Sequence, residues 1–155
     1  MTDRERDEFN TRYSSTMLLR KLKTTRNIRN FVRKHEAYME TITFDAYIRD
    51  LCAHRGALPA HIIAASGIDR VFGHQIFSGV RRPSRDKVLQ LAFGFELDYD
   101  GVQQLLKVAR KSALHPKIKR DAVIIYMINQ EMDLEYAQRM LVELSLPRLG
   151  EERHD

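Results

Sequence analysis

The side chains able to do covalent or metal chemistry are few in this sequence and badly spaced for it. Six histidines lie at positions 35, 54, 61, 74, 115 and 154, and no two of them have the i, i+4 spacing, with a carboxylate between, of a helical zinc site. Cys52 and His54 are two residues apart and so point to different sides of a helix. Neither a glycine-rich phosphate loop nor a nucleophile motif is present. These residues predict a protein that is not an enzyme and has no metal site and no cofactor. The single Cys52 cannot form an internal disulfide. It falls in a helical pattern where a small buried thiol is the plain reading, which points to a reducing cytoplasm.

Charge is the more informative chemistry. Between positions 11 and 35 stand Arg12, Arg20, Lys21, Lys23, Arg26, Arg29, Arg33 and Lys34, with no aspartate or glutamate. More than the whole formal charge of +5 therefore sits in one segment, which is a footprint for a polyanion or a solvated face. A second basic group follows further on, where positions 69–87 carry Arg70, Arg81, Arg82, Arg85 and Lys87 against Asp69 and Asp86.

The elements that must position these groups are helices. Apolar residues recur at helical spacing nearly everywhere and no run alternates as a half-buried strand does, so the fold class is all-α. No apolar run is long enough for a membrane span or a signal peptide. Leu18, Leu19 and Leu22, then Ile28, Phe31 and Val32, predict one or two amphipathic helices. Thr43 is a good N-cap for a helix carrying Phe44, Tyr47, Ile48 and Leu51, and Gly56 a good stop. A short helix from Pro59 ends at Ser66-Gly67, and Asp69 caps the next, over 70–77, which ends at Ser78-Gly79. Ser84 caps a fourth, and a fifth begins near Asp98. Beyond Pro116 two more stretches follow, at about 119–130 and 134–144.

Shifted by 35 residues, the chain matches itself at Arg85/Arg120, Asp86/Asp121, Val88/Val123, Glu96/Glu131, Asp98/Asp133, Gln103/Gln138, Leu106/Leu141 and Leu114/Leu149. The C-terminal helix hairpin is thus a pseudo-repeat of residues 85–114, and the two hairpins are expected to share one core.

Short helix, Ser66-Gly67 turn, short helix, Gly79, basic loop and Ser84-capped helix are what a helix-turn-helix requires, since glycine at the turn adopts positive φ at little cost. With Ser66-Gly67-Ile68, Ile76, Gly79-Val80-Arg81-Arg82-Pro83-Ser84, Leu89, Leu91, Ala92 and Leu97-Asp98, the stretch 44–106 resembles the lambda-repressor-like (xenobiotic response element) helix-turn-helix family of bacterial and phage regulators. The resemblance implies a five-helix bundle and binding to duplex DNA. Pro59 stands where many members carry a phosphate-holding glutamine. Ile63 and Gly73 exchange the family's small and large residues, which predicts that the two side-chain positions meet where the helices cross.

In such a fold the second helix lies in the major groove. Arg70 would grip guanine, Gln75 would pair with adenine, Val71 would touch a thymine methyl, and His74 completes the face. Arg81, Arg82, Arg85 and Lys87 would hold phosphates, joined by Arg20, Lys21, Lys23 and Arg26 of the N-terminal arm. The expected organisation is a basic helical arm over 1–40, the DNA-binding domain over 41–110, and a hairpin extension over 111–155 packed on that domain. The extension would serve as a homodimer interface or a partner surface. The rival reading is a protein-interaction adaptor on the same scaffold, using Phe72 and Phe77, which stand where exposed polar residues are usual.

Overall fold

A computed structural model describes residues 15–39 and 42–151, together with Thr2 and Arg4. Among the described residues the secondary structure is entirely helical, and no helix is long and apolar enough to cross a membrane. The helices are α1 (Ser15–Thr24), α2 (Ile28–Met39), α3 (Phe44–Arg55), α4 (Pro59–Ala65), α5 (Arg70–Ser78), α6 (Arg85–Gly94), α7 (Tyr99–Val108), α8 (Lys119–Asn129) and α9 (Leu134–Glu143). The chain forms two compact units, Met1–Ile42 and Thr43–Asp155, and no division falls near position 110.

Within the first unit, α2 is stiffened by an i, i+4 pair: His35 Nδ1 lies 2.9 Å from the Phe31 carbonyl and the two rings lie 4.4 Å apart.

The second unit is built from well-punctuated helices. Thr43, Asp69, Ser84, Asp98 and Asp133 each accept a hydrogen bond from a first-turn amide, which satisfies donors that a helix leaves open at its start. Gly56 and Gly79 close α3 and α5 in the left-handed conformation. The buried set runs through all seven helices of this unit, from Ile48 and Leu51 through Ile63, Ile76, Leu89, Leu91 and Leu105 to Ile124, Met127 and Leu141, so one core serves them all.

Two glycines inside helices let those helices approach their neighbours closely. A Cβ added at Gly73 would penetrate Ile63, with Cγ1 at 2.8 Å and Cδ1 at 3.0 Å, so the large and small residues do meet at the α4–α5 crossing. A Cβ at Gly94 would strike the Ser66 side chain and lie 2.9 Å from the Ile62 carbonyl, so α6 lies hard against the end of α4. Gly73→Ile should therefore overpack the junction and cost about 1–3 kcal/mol. Adding Ile63→Ala to it should recover part of that loss in urea unfolding. A single variant as stable as the parent would contradict the packing described.

The 35-residue repeat is written into the bonding. Arg85 makes a two-pronged pair with Asp121, and Arg120 makes the same pair with Asp86, at 2.8–3.0 Å. Arg85 also donates to the carbonyls of Ser112 and Ala113, as Arg120 does to those of Pro147 and Arg148. Gln103 clasps both backbone groups of Leu114, and Gln138 those of Leu149. The amide of His115 donates to Asp121, that of Gly150 to Asp86. Left-handed residues follow the same offset, at Glu96 and Glu131 and at Arg110 and Ser145. Because each bond between the hairpins recurs with the partners reversed, α6–α7 and α8–α9 are related by a local pseudo-twofold axis, the geometry of an isologous interface within one chain.

Candidate functional site

The α5 helix is short, and three fixtures hold it. Asp69 caps its start, accepting from the Phe72 amide at 3.1 Å. Gly73 seats its middle on Ile63. At its end, Arg49 of α3 donates to the Phe77 carbonyl at 2.6 Å while paired with Asp45 at 2.9 Å. With Gly73, Ile76 and Phe77 buried, the opposite face is turned outward. It carries Arg70, Val71 and His74, all exposed, with Gln75 half-buried at its margin. Val71 is 66% exposed, an apolar side chain on a face otherwise polar. The four residues named from the sequence thus lie on one side of one helix.

The chain after Gly79 doubles back. The Arg81 amide donates to the Gln75 carbonyl at 3.1 Å, and Arg81 Nε donates to Gln75 Oε1 at 2.6 Å. The guanidinium of Arg81 lies 5.1 Å from the centroid of the Phe72 ring, and Lys87 Nζ lies 5.7 Å from the same ring, both within cation–π range. Arg82 is exposed beside them, while Pro83 is buried and anchors the loop. Arg81 and Lys87 therefore gather over Phe72, on the side of α5 where Gln75 stands, with Arg82 exposed in the same loop.

Three expectations need correcting. Arg85 does not join this cluster: four of its five guanidinium N–H donors go to Asp121, Ser112 and Ala113, and its charge is already paired with the Asp121 carboxylate, which leaves it a poor phosphate ligand. Phe77 is buried and cannot offer a partner surface. Phe72 is half-buried beneath two cations, so its ring is a platform and not an open apolar patch. The signal that could have disclosed the Phe72–Arg81–Gln75 group was Gly79, because a left-handed cap returns the following residues over the last helical turn.

Arg20, Lys21 and Lys23 lie on α1 and Arg26 just beyond it, all exposed, in the first unit. In the second unit, Leu134 and Val142 of α9 line a groove with Ala64, Ala65 and Gly67, rimmed by Glu135, Arg139, Glu143 and Arg148. Cys52 is buried, and that burial, only partly opposed by the charge of Arg55, pushes its thiol up to about 11. The nucleophilic thiolate is therefore scarce at neutral pH. Among the described residues no cluster of three or more histidine, cysteine or acidic side chains could hold a metal ion.

No family model, no curated protein and no solved structure matches the chain. The functional reading therefore rests on the residues themselves.

Proposed function

We propose that this chain is a sequence-specific duplex-DNA-binding transcriptional regulator of the lambda-repressor-like type. In this reading α4 and α5 are the helix-turn-helix, α3 to α7 are its five-helix bundle, and α5 enters the major groove. One observation carries the proposal: a helix fixed at both ends and in its middle presents Arg70, Val71, His74 and Gln75 outward, with Arg81 and Lys87 gathered over Phe72 on its flank and Arg82 exposed in the loop that follows. Such a face combines base-reading side chains with cations for the flanking phosphates. It needs little reordering to bind, which favours affinity. Arg20, Lys21, Lys23 and Arg26 would add phosphate contacts from the arm, and the α9 groove would seat a second copy or another protein.

The test is selection from a random-sequence duplex library at two salt concentrations. Arg70→Ala should cost about 1–3 kcal/mol on the selected site and relax preference at one position. Arg82→Ala should weaken all sequences alike and lower the slope of log K against log salt by about 0.9. If the folded protein binds no duplex above background at low salt, the DNA reading fails. A protein-interaction adaptor would then take its place, using the exposed Val71 and Val80.

A further inference from the structure

We propose that Phe72, Arg81 and Gln75 form a preset reading unit that offers only donors outward, so that the base met by Gln75 is guanine and not adenine. The proposal rests on the DNA-binding reading above and deepens it by assigning a specificity.

A glutamine amide is by itself an ambivalent reader. It has two donors on Nε2 and an acceptor at Oε1, and rotation about its last bond exchanges them. It can pair with adenine through N6 and N7, or donate to the N7 and O6 acceptors of guanine. In this protein that choice is made before any ligand arrives. Arg81 Nε donates to Oε1 at 2.6 Å, a charge-assisted bond that holds the acceptor toward the loop. The Phe72 ring lies under the same guanidinium, its centroid 5.1 Å from the guanidinium carbon, and supports it by a cation–π contact. The backbone bond from the Arg81 amide to the Gln75 carbonyl ties the two residues a second time. Oε1 keeps a second lone pair, but its bond to Arg81 turns that oxygen toward the loop, so what faces a ligand is Gln75 Nε2 and the terminal nitrogens of Arg81, all donors. Guanine presents two acceptors to such a surface, whereas adenine sets its N6 donor against another donor. Phe72 is thus a positioning residue that selects a base without touching it. Arg81 serves Gln75 first and phosphate second.

The experiment has two arms, both on the full chain. In the first, the arginine Nε–H protons are followed by nuclear magnetic resonance without DNA. The Arg81 proton should exchange with solvent more slowly than that of exposed Arg82, and Gln75→Ala should abolish the difference. In the second, the library selection is repeated with Phe72→Leu and with Arg81→Lys, after circular dichroism has shown both to be folded. The wild type should select guanine at one position. Both variants should lose on the order of tenfold of the guanine-over-adenine ratio there. The salt slope should not move, since neither change removes a charge.

Equal exchange of the Arg81 and Arg82 protons overturns the proposal and leaves the DNA reading standing. So does selection of adenine by the wild type, or an unchanged guanine ratio in both variants. Slow exchange at Arg81 in a protein that binds no duplex of any sequence removes the DNA reading itself, and the guanine assignment falls with it.

Discussion

Asp121→Ala is expected to destabilise the second unit by about 3–5 kcal/mol, a large share of the total stability of an ordinary domain. The carboxylate of Asp121 is 2% exposed and takes both prongs of Arg85 as well as the His115 amide. Its removal leaves a guanidinium, itself only 25% exposed, without the anion that offset its desolvation, and orphans a backbone donor. The reciprocal change, Asp86→Ala, should cost less, because Asp86 is 24% exposed and water can replace part of what is lost. Replacing the pair together, Arg85→Met with Asp121→Leu, should recover most of the single-variant loss, since an apolar pair of similar volume carries no desolvation debt. The measurement is urea unfolding of the four members of the cycle, read as midpoints at constant m. A loss under about 1 kcal/mol for Asp121→Ala would mean that the crossed pair does not hold the hairpins together.

The reciprocal pair, Arg120 with Asp86, gives the unit an acid sensitivity of known sign. Burial works against the Asp86 carboxylate, but hydrogen bonds from Arg120 and the Gly150 amide, with the charges of Arg120 and Arg85, outweigh it and hold its pKa below the ordinary aspartate value. A carboxyl whose folded pKa is depressed contributes stability above its unfolded pKa, about 3.9, and loses it as pH falls through the folded value. The contribution of Asp86 is therefore intact at neutral pH and fades below about pH 4.

Much of this was legible in the chain because local chemistry decides it. Thr43, Asp69, Ser84, Asp98 and Asp133 were readable as caps, since a side-chain acceptor before an apolar periodic run has one dominant use. The meeting of Ile63 with Gly73 was readable because a missing Cβ inside a helix needs a packing reason. Arg85 shows where such reading stops. The 35-residue offset matches Arg85 with Arg120 and Asp86 with Asp121, yet it is equally compatible with hairpins stacked by translation and with hairpins facing across a twofold axis. Stacking by translation would not cross the pairs, since it would not reverse the partners at each bond. The twofold arrangement turns Arg85 to Asp121 instead. Register alone does not distinguish the two, because the choice is made by the tertiary fit of the hairpins. The coupling of Gln75 to Arg81 escaped for a related reason: the bond spans six residues around a left-handed glycine, a separation that no helical periodicity marks.

Removal of residues 1–42 is the second change expected to have a large effect, on affinity and not on folding. The second unit contains its own core from Tyr47 to Leu149, so the shortened chain should lose the helical signal of α1 and α2 but keep that of α3 to α9, with the unfolding midpoint of the second unit nearly unchanged. What it loses is the densest positive charge in the protein, including Arg20, Lys21, Lys23 and Arg26, exposed on and just beyond α1. Each phosphate neutralised by such a side chain releases counterions and steepens the fall of log K with log salt by about 0.9. If those four residues all seat on a duplex, the slope should flatten by roughly 3 to 4 units on their removal. At low salt the affinity should drop by about two orders of magnitude relative to its change at a salt concentration fourfold higher. Base preference should stay as it was, because the residues proposed to read bases all lie on α5 and the loop after it. A truncated protein that binds with the full salt slope would show that the basic arm does not track the DNA backbone. One that keeps the slope but changes its preferred sequence would show that the arm reads bases.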